Sequence, residues 1–263
     1  MKVSYFPGCT LKNKARELDT YAYKCAEALG ITLEEIENWQ CCGGVFTTAT
    51  NEVATKLSSV RALKYAADRS QPLVSVCSAC HNVLKQTNHA MRTNKEFSDK
   101  VNRYMANDGG YLGEAEVYHY LEMLRDLVGF DNIKAAVKNS QKGKKIAAYY
   151  GCLLLRPGKV MQMDDPENPS IIENLIRSLG AEPVVYARRN ECCGGYISVE
   201  SPEAAKKNSN AIVENAKAAG AEMIITACPL CKYNLEKMGA DIPVVYFTEL
   251  LAEALGVKED TNA

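Results

Sequence analysis

Short apolar runs alternate along the chain with longer segments in which apolar residues recur at helical spacing. The runs Val3–Phe6, Leu73–Val76, Lys145–Tyr150 and Met223–Thr226 are short and rich in branched and aromatic residues, which predicts buried strands. The segments Asn13–Leu29, Glu52–Asp68, Ser170–Leu179 and Pro202–Ala219 have amphipathic helical spacing, and Gly30, Gly180 and Gly220 stand where C-terminal caps belong. Strands alternating with helices imply an α/β fold with mainly parallel sheets and flanking helices. In such sheets ligands gather beyond the carboxyl ends of the strands. The four predicted strands run into Cys9, Cys77, Cys152 and Cys228.

Those cysteines belong to a pattern written twice. Cys41, Cys42, Cys77 and Cys80 precede Cys192, Cys193, Cys228 and Cys231 by 151 positions each, and Cys9 precedes Cys152 by 143. The first set reads C-x31-CC-x34-C-x2-C and the second C-x39-CC-x34-C-x2-C, so ten of the eleven cysteines are matched. The longer gap in the second set is assigned to the stretch 156–170, whose prolines and glycine mark an irregular surface connection. An internal duplication of this kind predicts two pseudo-symmetric lobes facing each other. The expected division is 1–142 and 143–263, with 96–138 a polar, mostly helical connecting segment of the first lobe.

Composition narrows the chemistry. With 31 basic and 32 acidic residues and no basic run, the chain has no nucleic-acid footprint. Its apolar stretches fall far short of the roughly 20 residues of a membrane span, and no apolar signal core stands at its start, so a cytoplasmic location without membrane insertion is expected. Eleven cysteines in that setting point to thiolates that bind metal or do redox work rather than to structural disulfides.

Sulfur-only ligation suits zinc or iron–sulfur clusters. A structural zinc site closes with four ligands, and five-thiol sets with an adjacent CC pair fit it poorly. Gly43, Gly44, Gly194 and Gly195 would let backbone N–H groups approach cluster sulfides. Cys25 has no partner in the second set; it shares a helical stripe with Leu18, Tyr21 and Leu29 and reads as core. His81 and His119 read as structural, His119 in a packing or capping role, and His89 as surface. Lys12 and Lys14 follow Cys9, and Arg156 follows Cys152, so these cations are candidates for an anionic substrate arm or for balancing cluster charge.

The phrases YFPGCTLKNKA (5–15), WQCCG (39–43), YYGCLLLRP (149–157), DDPEN (164–168) and ACPLCKYNL (227–235), set in the duplicated pattern, resemble the paired CCG domains of the heterodisulfide reductase B subunit family. The resemblance covers nearly the whole chain. It implies two non-cubane 4Fe-4S clusters at the junction of the two lobes, one held by Cys9, Cys41, Cys42, Cys77 and Cys80, the other by Cys152, Cys192, Cys193, Cys228 and Cys231. It also implies two-electron reduction of a disulfide, in that family the mixed disulfide of coenzyme M and coenzyme B, to two thiols. The implied partners are a flavoprotein A-like subunit and a ferredoxin-like C subunit. Related CCG domains also serve in complexes where the subunit relays electrons. The sequence departs from the methanogen pattern at Gly43 and Leu153, where proline and histidine are expected; it is similar there to bacterial relatives that lack those coenzymes.

Overall fold

The structure, a computed structural model, describes residues 1–44, 52–237 and 241–257. The first half runs β1 (Lys2–Tyr5), α1 (Cys9–Asn13), α2 (Arg16–Ala28), β2 (Thr32–Glu35), α3 (Glu52–Asp68), β3 (Leu73–Ser75), α4 (Ser78–Thr93), α5 (Lys95–Tyr104), β4 (Val117–His119) and α6 (Tyr120–Met123). After α7 (Phe130–Ala136) the second half runs β5 (Lys145–Tyr149), α8 (Gly158–Met161), α9 (Ile171–Ser178), β6 (Glu182–Val184), α10 (Pro202–Ala218), β7 (Met223–Thr226), α11 (Pro229–Lys237), β8 (Val244–Tyr246) and α12 (Phe247–Leu255).

Two four-stranded, all-parallel sheets result, ordered β2-β1-β3-β4 and β6-β5-β7-β8. Identical order in both is the duplication made visible. The expected α/β architecture of two lobes with flanking helices is what forms. Gly30, Gly180 and Gly220 do end helices, with φ of +75°, +89° and +90°.

Three details differ from the sequence reading. The helix expected over 13–29 is broken, because Ala15 leaves the helical region (φ −138°, ψ 51°) between α1 and α2. The stretch 156–170 holds the short helix α8 within its irregular path. The segment 96–138, read as a connector, is largely helical but also supplies β4, in which Val117, Tyr118 and His119 pair with Leu73, Val74 and Ser75. Three residues running straight into a helix leave no periodic signature of a strand.

Alternation along β5 divides the core. Ile146, Ala148 and Tyr150 enter a large cluster shared with Val3, Leu73 and Leu121 of the first half, whereas Ala147 and Tyr149 join a smaller one with Ile212, Ile224 and Leu235. The inner face of the second sheet is therefore buried against the first lobe, at about 1.5–3 kcal/mol for each large apolar side chain removed from water. Within the shared cluster α12 packs on α2, where the buried Cys25 thiol donates to the Thr248 carbonyl at 3.6 Å. Burial raises that thiol's pKa, so Cys25 is core.

Candidate metal centre

Each set of cysteines is assembled from the same parts. Cys77 is the N-cap of α4, with Cys80 one turn on; Cys228 immediately precedes α11, with Cys231 one turn on. The N–H of Cys77 donates to Ser75 Oγ at 3.4 Å and that of Cys228 to Thr226 Oγ1 at 3.5 Å. The CC pairs arrive from the opposite side. Cys42 Sγ lies 3.5 Å from Cys80 Sγ, and Cys193 Sγ lies 3.6 Å from Cys231 Sγ. Ser59 of α3 and Ser209 of α10 hold these loops by donating to the Cys42 and Cys193 carbonyls at 3.4 and 3.1 Å. Cys9 closes on Cys41 at 3.9 Å, and Cys152 lies close enough to Cys192 for the two thiols to titrate together.

All five cysteines of the second set line one cavity, with Ser78, Tyr150, Leu153 and Tyr196 among the other walls. Cys9, Cys41 and Cys192 reach the surface, Cys152 is half-buried, and the other six matched cysteines are buried. Among the described residues no three of these side chains are arranged to hold a single metal ion.

Glycine is required where the first strand of each lobe turns into its site. Gly8 and Gly151 have φ of +80° and +63°, and a Cβ would stand 2.7 Å from Cys80 Sγ and 3.1 Å from Cys231 Sγ. Gly8→Ala is therefore expected to cost about 1–3 kcal/mol and to lower the iron-to-protein ratio. Gly30→Ala, where nothing lies within 4 Å of an added Cβ, should leave that ratio unchanged; equal iron in both variants would refute the close-approach argument. Gly43, with φ +75°, has a backbone that proline cannot adopt, which accounts locally for this departure from the methanogen pattern.

The surroundings favour the thiolate at three cysteines, Cys42, Cys192 and Cys228, while burial and hydrogen bonds with neighbouring cysteines push Cys41, Cys77, Cys80, Cys152 and Cys231 up. A hydrogen bond from Cys152, helped by the N–H groups of Gly194 and Gly195 against the opposing cost of burial, brings the Cys192 thiol down to about 6. A hydrogen bond from Cys80, outweighing burial and aided by the Gly44 N–H and the Lys56 charge, brings Cys42 to about 7. Cys228 is lowered by bonds from Cys231 and Cys77, with N–H groups at the start of α11 adding to them. Thiolate character is what soft metal centres need.

The two sets adjoin. Cys77 and Cys228 are close enough that each shifts the titration of the other. Three side chains fix this junction, and none was singled out from the sequence. Tyr246 Oη contacts the carbonyls preceding both cysteines, Val76 at 2.5 Å and Ala227 at 2.9 Å. Ser78 Oγ donates to the Ala227 carbonyl at 2.7 Å. Asn82 of α4 reaches into the other lobe and donates to the carbonyls of Leu153 and Arg156, both at 2.7 Å. Tyr196, just after the second CC pair's glycines, occupies the position of Val45 in the first repeat, and an offset of 151 could have flagged that mismatch.

The three candidate cations sit apart from this junction. Lys12 pairs with Asp19 at 2.8 Å and Glu35 at 2.7 Å. Arg156 donates to the Asn190 carbonyl at 2.9 Å and pairs with Glu167 at 3.0 Å. Lys14 is exposed at the end of α1. His89 is exposed, and His119 caps α6, its Nδ1 accepting from the Leu121 N–H at 3.1 Å. His81 is buried with Nε2 3.0 Å from Glu122, whose carboxylate also meets Lys85 at 2.9 Å and the His119 N–H at 2.7 Å. Burial would push the Glu122 carboxyl up, but these donors outweigh it and hold it at about 2.

Two adjoining sets of five thiols at the carboxyl ends of two parallel sheets define an iron–sulfur redox subunit. Residues 3–85 and 146–236 match the family described as cysteine-rich domain, CCG, and the chain belongs to that family. It is 31% identical, over 97% of its length and 92% of the relative's, to the 8-methylmenaquinol:fumarate reductase membrane anchor subunit of Wolinella succinogenes. It is 28% identical, over 98% of its length and 91% of the relative's, to the B subunit of the ferredoxin/F420H2-dependent CoB-CoM heterodisulfide reductase of Methanosarcina acetivorans. The fold recurs in the crystal structure of a hypothetical protein from Helicobacter pylori, with a TM-score of 0.76 at 11% identity, covering 98% of this chain and 49% of that one. Among the described residues no helix is long and apolar enough to cross a membrane.

Proposed function

We propose that each five-cysteine set holds one non-cubane 4Fe-4S cluster and that the chain is the disulfide-reducing subunit of a heterodisulfide reductase-like complex. In this reading the complex works in the cytoplasm, with a flavoprotein A-like and a ferredoxin-like C subunit delivering electrons. The substrate is a small disulfide, of the CoM-S-S-CoB type or another, which takes up two electrons and two protons to give two thiols.

The observation that carries this reading is the single Tyr246 hydroxyl that contacts the carbonyls preceding both Cys77 and Cys228 and so puts the two sites side by side. Iron–sulfur centres supply electrons singly when bound, and cleaving an S–S bond takes two. The chain's own part is positional. Tyr246, Ser78 and Asn82 hold the two sites at fixed separation, and Leu153 and Tyr196 line the second. Preorganised spacing of this kind removes motion that would otherwise oppose the reaction.

Anaerobically purified protein is expected to contain about eight iron and eight sulfide per chain and to oxidise reduced viologen dye when a disulfide is added. Zinc in place of iron and sulfide, or inertness towards a broad disulfide panel, would sink the proposal. The likeness to the Wolinella fumarate reductase subunit supports a second reading, an electron relay that binds no disulfide. Titrating thiols while recording the paramagnetic resonance spectrum separates the two, since only direct binding beside a cluster changes that spectrum.

A further inference from the structure

A second cavity, of about 550 Å³, runs from the junction of the sites to the surface between α3 and α4. Leu153 and Tyr196 line both this groove and the cavity of the second cysteine set. On the other side Gly44 joins the groove to the first set: a Cβ there would lie 3.5 Å from Cys42 Sγ and 3.7 Å from Tyr196 Oη. The groove is thus the route by which a molecule held between the sites would extend outward.

Its chemistry is uneven along its length. Val83, Ala90, Phe97 and Leu153 give an apolar wall. Lys56 is the one charged side chain among its described lining residues, and no carboxylate faces it there. Anions are held by a lysine in such a setting more strongly than at an open surface, because the apolar wall limits screening. Lys12 and Arg156 are already paired with Asp19, Glu35 and Glu167, so neither has a charge to spare.

We propose that this groove receives one arm of the disulfide, a short hydrocarbon chain ending in a carboxylate or similar anion, with Lys56 as its counter-charge and the determinant of specificity. The proposal rests on the disulfide-reducing reading above, and its test has a readout separate from turnover. Thiodipropionate, a thioether dianion with no S–S bond to reduce, is titrated calorimetrically into wild-type, Lys56→Gln and Lys56→Arg protein. Turnover of dithiodipropionate and of neutral bis-hydroxyethyl disulfide is measured in parallel.

Lys56→Gln is expected to weaken thiodipropionate binding and raise the KM for dithiodipropionate about tenfold more than it changes the neutral disulfide, since any effect through Cys42 falls on both disulfides alike; Lys56→Arg should restore most of the loss. Equal loss for charged and neutral disulfides, or thioether binding indifferent to Lys56, would overturn the assignment. Lys56-dependent thioether binding without turnover of either disulfide would keep the anion groove and remove the disulfide-reducing reading. Turnover of both with thioether binding independent of Lys56 would do the reverse.

Discussion

Cys193→Ala is expected to strip the second set of its iron and sulfide, leave the first set loaded, and abolish disulfide turnover. Cys193 is buried in the smaller core with Cys228 and Cys231, whereas Cys42, Cys77 and Cys80 belong to the larger one. Losing one thiolate opens a site that must be filled by sulfur ligands on all sides, so metal affinity collapses locally. Because one remaining centre supplies electrons singly, the two-electron step fails even though half the metal is retained. Iron and sulfide analysis, paired with the viologen assay, measures this. Cys25→Ala is the control: its thiol only meets the Thr248 carbonyl, and iron content should not move. Full iron in Cys193→Ala, or loss of iron in Cys25→Ala, would contradict the ligand assignment.

The second large effect lies beside the second site, where Tyr150, Glu173 and Arg189 form a buried polar group. Glu173 and Arg189 meet at 3.3 Å with side chains only 2% and 7% exposed. The Tyr150 hydroxyl donates to Glu173 and accepts from the Ile172 N–H at 2.9 Å. Arg189 also donates to Asn168 Oδ1 at 2.5 Å and to the Pro169 carbonyl at 3.2 Å, tying down the 164–169 loop. Arg189→Met should destabilise the protein by about 3–5 kcal/mol, because a carboxylate is left buried without its counter-charge. For a chain of this size that is a fall in Tm of about 10 °C.

The effect has a pH signature. Burial already raises the Glu173 carboxyl, opposed by Tyr150 and Arg189. Without Arg189 it rises further, so the folded variant holds a proton that the unfolded chain releases near about 4.3. A group with a raised folded pKa gives stability that is present below the unfolded value and lost as pH climbs through the folded one. The Tm deficit should therefore widen from acid to neutral pH, and a deficit independent of pH would show that Glu173 is not the group left unpaired.

Much of the site was legible in the chain itself. The ten thiols could be grouped because ligand spacing follows from a local unit, strand, loop and helix, that was duplicated whole. Cys25 could be set aside by its lack of a counterpart. The edge strands β2 and β6 escaped notice because partly exposed residues such as Thr32-Leu33-Glu34-Glu35 show no apolar period, and β4 and β8 because three mostly buried residues run straight into a helix. His119 and Tyr246 hold equivalent places, opposite Ser75 and Thr226, but α5 intervenes in the first lobe only and hides the match. One became a helix cap, the other a bridge between lobes.

The sequence by itself determined the α/β class, the duplication and the two sets of thiols, all of which are properties of short segments and of their repetition. Only the tertiary structure decided how those sets meet. The contacts that set their spacing join residues 71, 149 and 170 positions apart: Asn82 with Leu153, Ser78 with Ala227, and Tyr246 with Val76. Such pairings depend on how two sheets share one buried face, and no local pattern encodes that. The same packing turned Lys12 and Arg156, the cations nearest to cysteines in sequence, towards carboxylates. It left Lys56, on a helix that begins ten residues after the first CC pair, facing the groove.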